Sequence, residues 1–232
     1  MSARPARVGL MIPSSNTIME MDFARDLPPG TALHSARMFM QDTTAAGEIR
    51  MLDEFALPAA RDLGTARPDV VVFGCTSAGA LRGNDHDTEL CAQISELSGA
   101  PVVSTIGAVR AAIADSGATS IGVITPYVDE LNEKIRASIE ADGIRVAAIA
   151  GLGITDNFAI AQVGHDDIVA FAASALGQLA AQRSIGLVFA SCTNFGAAAA
   201  RPAIARRLGL PVVTSNQAAL AAAVARLPAL PG

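Results

Sequence analysis

The chain has no tryptophan, a single tyrosine (Tyr127), three histidines and three cysteines among its 232 residues. A core so short of large rings must be filled by Ala, Val, Ile and Leu, which suits an alanine-rich α/β protein. The cysteines, Cys75, Cys91 and Cys192, are odd in number and far apart, which argues against a secreted disulfide framework and for reduced thiols. With only His34, His86 and His165 to add, and no C-x-x-C pair, no metal site is expected. Positive charge is not in excess either: a net charge of −5 and a pI near 5.1 give no attraction to phosphate backbones or anionic lipid, so nucleic acid is not an expected partner. Long apolar runs are missing. The opening "MSARPARVGLMIP" is too short and turns too soon for a signal peptide or a membrane span, so no membrane association and a cytoplasmic location are expected. No G-x-G-x-x-G turn, no Gly-Lys-Ser or Gly-Lys-Thr phosphate loop and no lysine in the strand-end turns occur, so no cofactor is expected.

What is present is a regular alternation. Strand-like runs "RVGLMI", "TALHSARM", "DVVVFG", "PVVST", "SIGVIT", "RVAAIA", "GLVFAS" and "PVVTS" are separated by helical stretches such as "DELNEKIRASIEADG" and "DIVAFAASALGQLAAQR". Such order predicts parallel sheets covered by helices. The two halves also repeat. "VGLMIPSSNT" matches "IGVITPYVDE", with Pro13 opposite Pro126 at an offset of 113. "VVFGCTSAGA" matches "VFASCTNFGA", with Cys75 opposite Cys192 at 117, and "PVVSTIGAVRAAIA" matches "PVVTSNQAALAAAV", with Pro101 opposite Pro211 at 110. Three ordered matches at nearly constant offset predict a duplication: two similar Rossmann-like α/β lobes, residues 1–112 and 113–232, related by a pseudo-twofold axis, with the C-terminal helix free to pack on the first lobe.

Ligands of open parallel sheets bind beyond the carboxyl ends of the strands. The segments "IPSSN", "FGCTS", "TPYVD" and "ASCTN" all fall there, so a twofold pairing would set Cys75 and Cys192 facing each other across one cleft. Each cysteine follows a strand and precedes Thr and a small-residue turn, where free amides and a helix dipole are expected to stabilise a thiolate. A single free cysteine is more often a small buried hydrophobe, but two at equivalent points of a repeat point to function. Cys91, in the helical pattern "TELCAQISEL", has no counterpart and is read as packing.

Hydroxyl and amide groups of "IPSSNT" fit either a helix N-cap or anion recognition. Asp156 and Asn157 are explained by capping as well as by ligand binding. The stretch "QDTTAAGEIRMLDE" at 41–54 is small and polar before turning helical; it reads as a plain surface loop first and a mobile cover over the cleft second. The tail "RLPALPG" reads as a helix stop and a frayed end.

The ordered set "IPSSNT" at 12–17, "FGCTS" at 73–77, "ITPY" at 124–127, "GITDN" at 153–157 and "ASCTN" at 190–194 resembles the aspartate/glutamate racemase superfamily. Within it the chain is most similar to the maleate cis-trans isomerase branch and its arylmalonate decarboxylase relatives, over nearly its whole length. The racemases usually carry an acidic residue in the first turn and Thr-His after the second cysteine. Here "PSSN" and "CTN" stand instead, which argues against amino-acid racemization. The decarboxylases lack the first cysteine, which this chain has. The resemblance implies a cofactor-independent isomerase converting maleate, or a close cis-dicarboxylate, to fumarate. Cys75 would add to the alkene and Cys192 would protonate the adjacent carbon or stabilise the adduct. Asn16, Tyr127 and Asn157, with turn groups around Ser15, Thr76, Ser77, Thr193 and Asn194, would hold the carboxylates. It implies a small dicarboxylate partner and a homodimer or homotetramer. Alternatives left open are a two-thiol racemase or epimerase, a decarboxylase, an ectoine-degradation relative and a non-catalytic small-carboxylate binder.

Overall fold

The computed structural model describes residues 4–228. Met1 to Ala3, and Ala229 to Gly232 of the expected frayed end, lie outside the described residues.

All the expected strand runs form strands: β1 (Ala6–Pro13), β2 (Thr31–Met38), β3 (Val70–Phe73), β4 (Val102–Ser104), β5 (Ser120–Thr125), β6 (Arg145–Gly151), β7 (Leu187–Ala190) and β8 (Val212–Thr214). They make two four-stranded parallel sheets of the same order, β2-β1-β3-β4 and β6-β5-β7-β8. Strands β3 and β7 are wholly buried, so both sides of the backbone call for apolar residues and the runs "VVVF" and "LVFA" show no alternation.

The duplication extends to single glycines. A β-carbon at Gly9 would stand 2.8 Å from Leu63, and one at Gly122 would stand 2.8 Å from Leu176. Leu63 lies on α3 (Leu57–Gly64) and Leu176 on α9 (His165–Ala181), so each half uses a glycine to let a helix close on its central strand.

The halves are knitted together. Helix α11 (Ser215–Val224) follows β8, yet Ala219 and Ala223 pack with Val8, Leu10, Ile12, Met19 and Phe23 against the first sheet. Helix α4 (Thr76–Leu81) in turn packs on α7 (Asp129–Glu140). No described helix is long and apolar enough to cross a membrane.

In the order 2-1-3-4 the chain leaves the middle of the sheet in opposite directions, so a crevice opens between the ends of β1 and β3, and likewise between β5 and β7. The turns holding Ser15, Cys75, Tyr127 and Cys192 stand at those two points.

The stretch 41–54 turns helical as expected, but as a whole it is not a plain surface loop. The segment is helix α2 (Ala45–Arg50), running through a π-helical stretch, Met51–Ala56, into α3. Thr44 caps α2 by accepting from the Gly47 amide at 3.2 Å. The irregular stretch runs up to Pro58 near the start of α3; a proline has no N–H with which to close the preceding turn. Before α2, the Thr43 amide donates to the Thr155 carbonyl at 2.6 Å and the Asn157 amide donates to the Gln41 carbonyl at 3.0 Å. The segment is therefore strapped across to the second half of the chain.

Candidate active site

Cys75 leaves the end of β3 in an extended conformation and starts α4. Cys192 lies just past β7 at φ +93°, a backbone region that side-chain-bearing residues rarely adopt. Both thiols are nearly sealed from solvent, at 4% and 6% exposure, and the Cys192 charge adds to the upward shift of Cys75. Ser77 Oγ is 4.0 Å from Cys75 Sγ, and the Tyr127 phenol stands beside both Cys192 and Ser77. The structure thus gathers Cys75, Ser77, Tyr127 and Cys192 into one buried cluster with no lysine, arginine or histidine in it.

The other expected residues are linked to one another between the two halves of the chain. Asn16 Nδ2 donates to Thr193 Oγ1 at 3.0 Å, and Thr193 donates to the Gly74 carbonyl at 3.1 Å. Asn16 Oδ1 accepts from the amides of Ile18 and Met19, in keeping with the capping reading of "IPSSNT". Asn157 Nδ2 donates to Ser15 Oγ at 2.8 Å while its Oδ1 accepts from Thr43 at 3.1 Å. Asn194 Nδ2 donates to the Asn157 carbonyl at 2.6 Å, and its Oδ1 accepts from the Thr17 amide at 2.8 Å. Asp156 caps the short helix α8 (Asn157–Ile160). An amide nitrogen has two protons, so Asn16 and Asn157 each retain one beyond the bond named here.

Turn amides and burial pull on each thiol in opposite directions. Turn amides do favour the anion: Ala78 donates to Cys75, and Asn194 and Phe195 donate to Cys192. Burial outweighs them. It pushes Cys75 well above the ordinary thiol range, with the Glu48 charge adding to the shift, and pushes Cys192 up to about 11. Cys91, half-buried on α5 (Asn84–Ser98), is pushed up to about 12 by burial and by Asp87. A groove of about 650 Å³ lined by Arg82, Asn84, Arg110 and Lys134 includes neither Cys75 nor Cys192. Two of its cations are paired on the surface, Arg82 with Asp53 and Arg110 with Asp142, and no cysteine lines it.

Residues 8–230 match the arylmalonate decarboxylase family. The chain belongs to that family. A maleate isomerase of Geobacillus stearothermophilus is 30% identical over 92% of this chain and 88% of its own. The maleate isomerase Iso of Pseudomonas putida S16 is 26% identical and superposes with a TM-score of 0.84, covering 94% of this chain and 90% of that one. A maleate cis-trans isomerase of Nocardia farcinica, crystallised as a cysteine-to-serine variant with a covalently bound succinylcysteine intermediate, has the same fold at 22% identity, with a TM-score of 0.86 and coverage of 95% and 92%.

In this member of the arylmalonate decarboxylase family two further residues join the cluster. Ser215, at the start of α11, accepts from Thr76 Oγ1 at 2.8 Å and from the Cys192 amide at 3.1 Å. Glu48, on α2, is fully buried and hydrogen-bonded to Ser77, and its second carboxyl oxygen, Oε2, has no partner. Burial pushes its carboxyl up to about 8. Thr44, a capping residue ahead of an apolar-polar run, marks where the helical part of 41–54 begins. Nothing local marks Glu48 as buried.

Proposed function

We propose that the protein is a cofactor-independent cis-trans isomerase that converts maleate, or a close cis-dicarboxylate, into its trans isomer by transient addition of Cys75 to the double bond. The observation that carries this reading is the pairing of two buried cysteines, from equivalent points of the two halves, beside Ser77 and Tyr127.

The chemistry follows from the groups present. Cys75 sulfur, as thiolate, bonds to one alkene carbon while the Cys192 thiol gives its proton to the other, leaving a succinyl adduct on Cys75 and a thiolate on Cys192. The former double bond is now single and rotates freely. Cys192 then takes the proton back, the C–S bond breaks, and the trans product leaves with Cys75 again a thiolate. Because burial pushes both thiols up at rest, Cys75 gives its proton to solvent before addition, and the thiolate is regenerated at the end of each turnover. The remaining amide protons of Asn16 and Asn157, the Ser77 hydroxyl, the Tyr127 phenol and the backbone amides near Thr76, Thr193 and Asn194 serve as donors to the carboxylates. Ser15 holds Asn157 in place for that role. In the cell the protein works as a homodimer or homotetramer in this reading, with each chain carrying its own cluster.

Incubation of the reduced protein with maleate, followed by proton NMR, is expected to show fumarate, and intact mass with peptide mapping a succinyl adduct on Cys75 in the Cys192→Ser variant. No fumarate from folded, reduced protein, or carbon dioxide release from an arylmalonate in its place, would overturn the assignment.

A further inference from the structure

Ser77 raises a question of proton count. Its hydroxyl has one proton, and the Ser77–Glu48 contact holds it against a fully buried carboxyl group. If that proton goes to Glu48, it does not reach a substrate carboxylate, and the carboxylate would meet a buried anion where it needs a donor. If Glu48 supplies the proton of the shared hydrogen bond, Ser77 Oγ accepts and its own proton is released. We propose that Glu48 is a positioning residue that sets the direction of the Ser77 hydroxyl: as a carboxylic acid it donates to Ser77 Oγ and turns the Ser77 proton toward a bound carboxylate. As a carboxylate it takes that proton back and closes the pocket to anions. The inference rests on the reading of Ser77 as a carboxylate donor.

The surroundings favour the acid form. Glu48 Oε2 is buried without a partner, which is costly for a carboxylate and far less so for a neutral acid. The ionisable groups that face it are themselves acids. Cys75 lies ahead of α4, Cys192 lies beyond β7 and Glu130 on α7 adds to the upward shift; Tyr127 stands beside Ser77. The nearby cations are committed elsewhere, Arg50 to Glu54 and Arg82 to Asp53. Two like charges in such a site do not both ionise, so an entering carboxylate and a Glu48 proton belong together. A buried, neutral carboxylic acid used as a hydrogen-bond donor is a known device for stabilising anions in apolar sites. With the carboxyl pushed up to about 8, the switch falls between pH 7 and 9, below the range in which burial places both thiols and Tyr127.

The test needs no knowledge of the natural substrate. Cys75 is alkylated with iodoacetate, which carries a carboxylate, and with iodoacetamide, which is its neutral counterpart, and the rates are read by peptide mass from pH 6.5 to 9.5. Both reagents need the same thiolate, so their ratio cancels Cys75 ionisation. The iodoacetate-to-iodoacetamide ratio is expected to fall at least tenfold with a midpoint near pH 8. In Glu48→Gln, whose amide still donates to Ser77 but cannot ionise, the ratio is expected to stay high and flat. In Glu48→Leu, which cannot ionise either, it is expected to be flat. A ratio that is pH-independent in the unaltered protein, a Glu48→Gln variant that keeps the fall, or a Cys75 that neither reagent reaches overturns the proposal. Should the ratio behave as expected while maleate is not turned over, the isomerase reading fails and the role of Glu48 stands; turnover with a flat ratio gives the reverse.

Discussion

Thr76 Oγ1 donates to Ser215 Oγ at 2.8 Å, and the same Ser215 oxygen receives the Cys192 amide at 3.1 Å. One hydroxyl at the start of α11 therefore fixes the residue after the first cysteine and the backbone of the second. The three groups come from three strand ends, β3, β7 and β8, drawn from both sheets. Removing this oxygen leaves a buried hydroxyl and a buried amide unpaired.

Ser215→Ala is accordingly expected to cost about 1–3 kcal/mol of stability and to lower kcat more than it raises KM, since it loosens the cysteines relative to each other. Urea unfolding and maleate kinetics check both. Unfolding at the unaltered midpoint, together with an unchanged kcat, would show that the bridge is dispensable.

The cysteines themselves divide two to one. Cys75→Ala and Cys192→Ala remove the adding thiol and the proton carrier, and each is expected to lower kcat by about 10²–10⁴-fold or more. Cys91→Ala, on the flank of α5, is expected to stay within about twofold, because Cys91 belongs to a separate patch with Asp87 and Ser104. Steady-state rates of the three variants decide this, and equal loss or equal tolerance in all three contradicts the assignment.

Much of the frame was legible because parallel strands buried on both faces are written as unbroken β-branched runs, such as "DVVVF", and because strand ends are where α/β proteins keep their chemistry. The repeat was legible in the ordered matches around Pro13 and Pro126, Cys75 and Cys192, and Pro101 and Pro211, while the role of the glycines that admit α3 and α9 was not. What was not legible is what depends on contacts between distant residues. Glu48 reads as an ordinary acidic residue in the first turn of a helix; its burial arises only when α2 folds against α4 and Ser77, 29 positions away. Ser215 reads as the end of the run "PVVTS", and its partner Thr76 is 139 positions away. At the thiols the turn amides can be inferred from a strand–Cys–Thr pattern, but the depth of burial that opposes them cannot.

Burial of Glu48 also has a consequence for stability that needs no substrate. Its folded value of about 8 lies above the ordinary 4.5. The folded protein keeps this proton across that interval while the unfolded chain releases it. The Glu48 contribution is therefore fully present below about pH 4.5 and is lost as pH rises toward about 8, by an amount on the order of a few kcal/mol. Glu48→Gln has no proton to lose. Its Tm relative to the unaltered protein is expected to rise steadily from pH 5 to pH 8 and then level off. Asp87, pushed up to about 6 by burial, behaves alike in both proteins and cancels in the difference. A Tm difference that does not change with pH would show that Glu48 ionises normally in the folded state.

Cys192 gives a test of strain at the second thiol. Its φ of +93° carries a penalty for any residue with a β-carbon, typically about 1–3 kcal/mol. At an ordinary position glycine is less stable than alanine, by about 0.5–1 kcal/mol, through the freedom it gains in the unfolded chain. Here relief of the strain works against that entropy and is larger. Cys192→Gly is therefore expected to be at least as stable as Cys192→Ala, reversing the usual order, although both lack the thiol. Chemical denaturation of the two variants measures the difference directly. A glycine variant less stable by the usual amount would mean that the turn relaxes without cost. In that case Cys192 would be held in line with Cys75 by its hydrogen bonds, those to Ser215 and Asn194 among them.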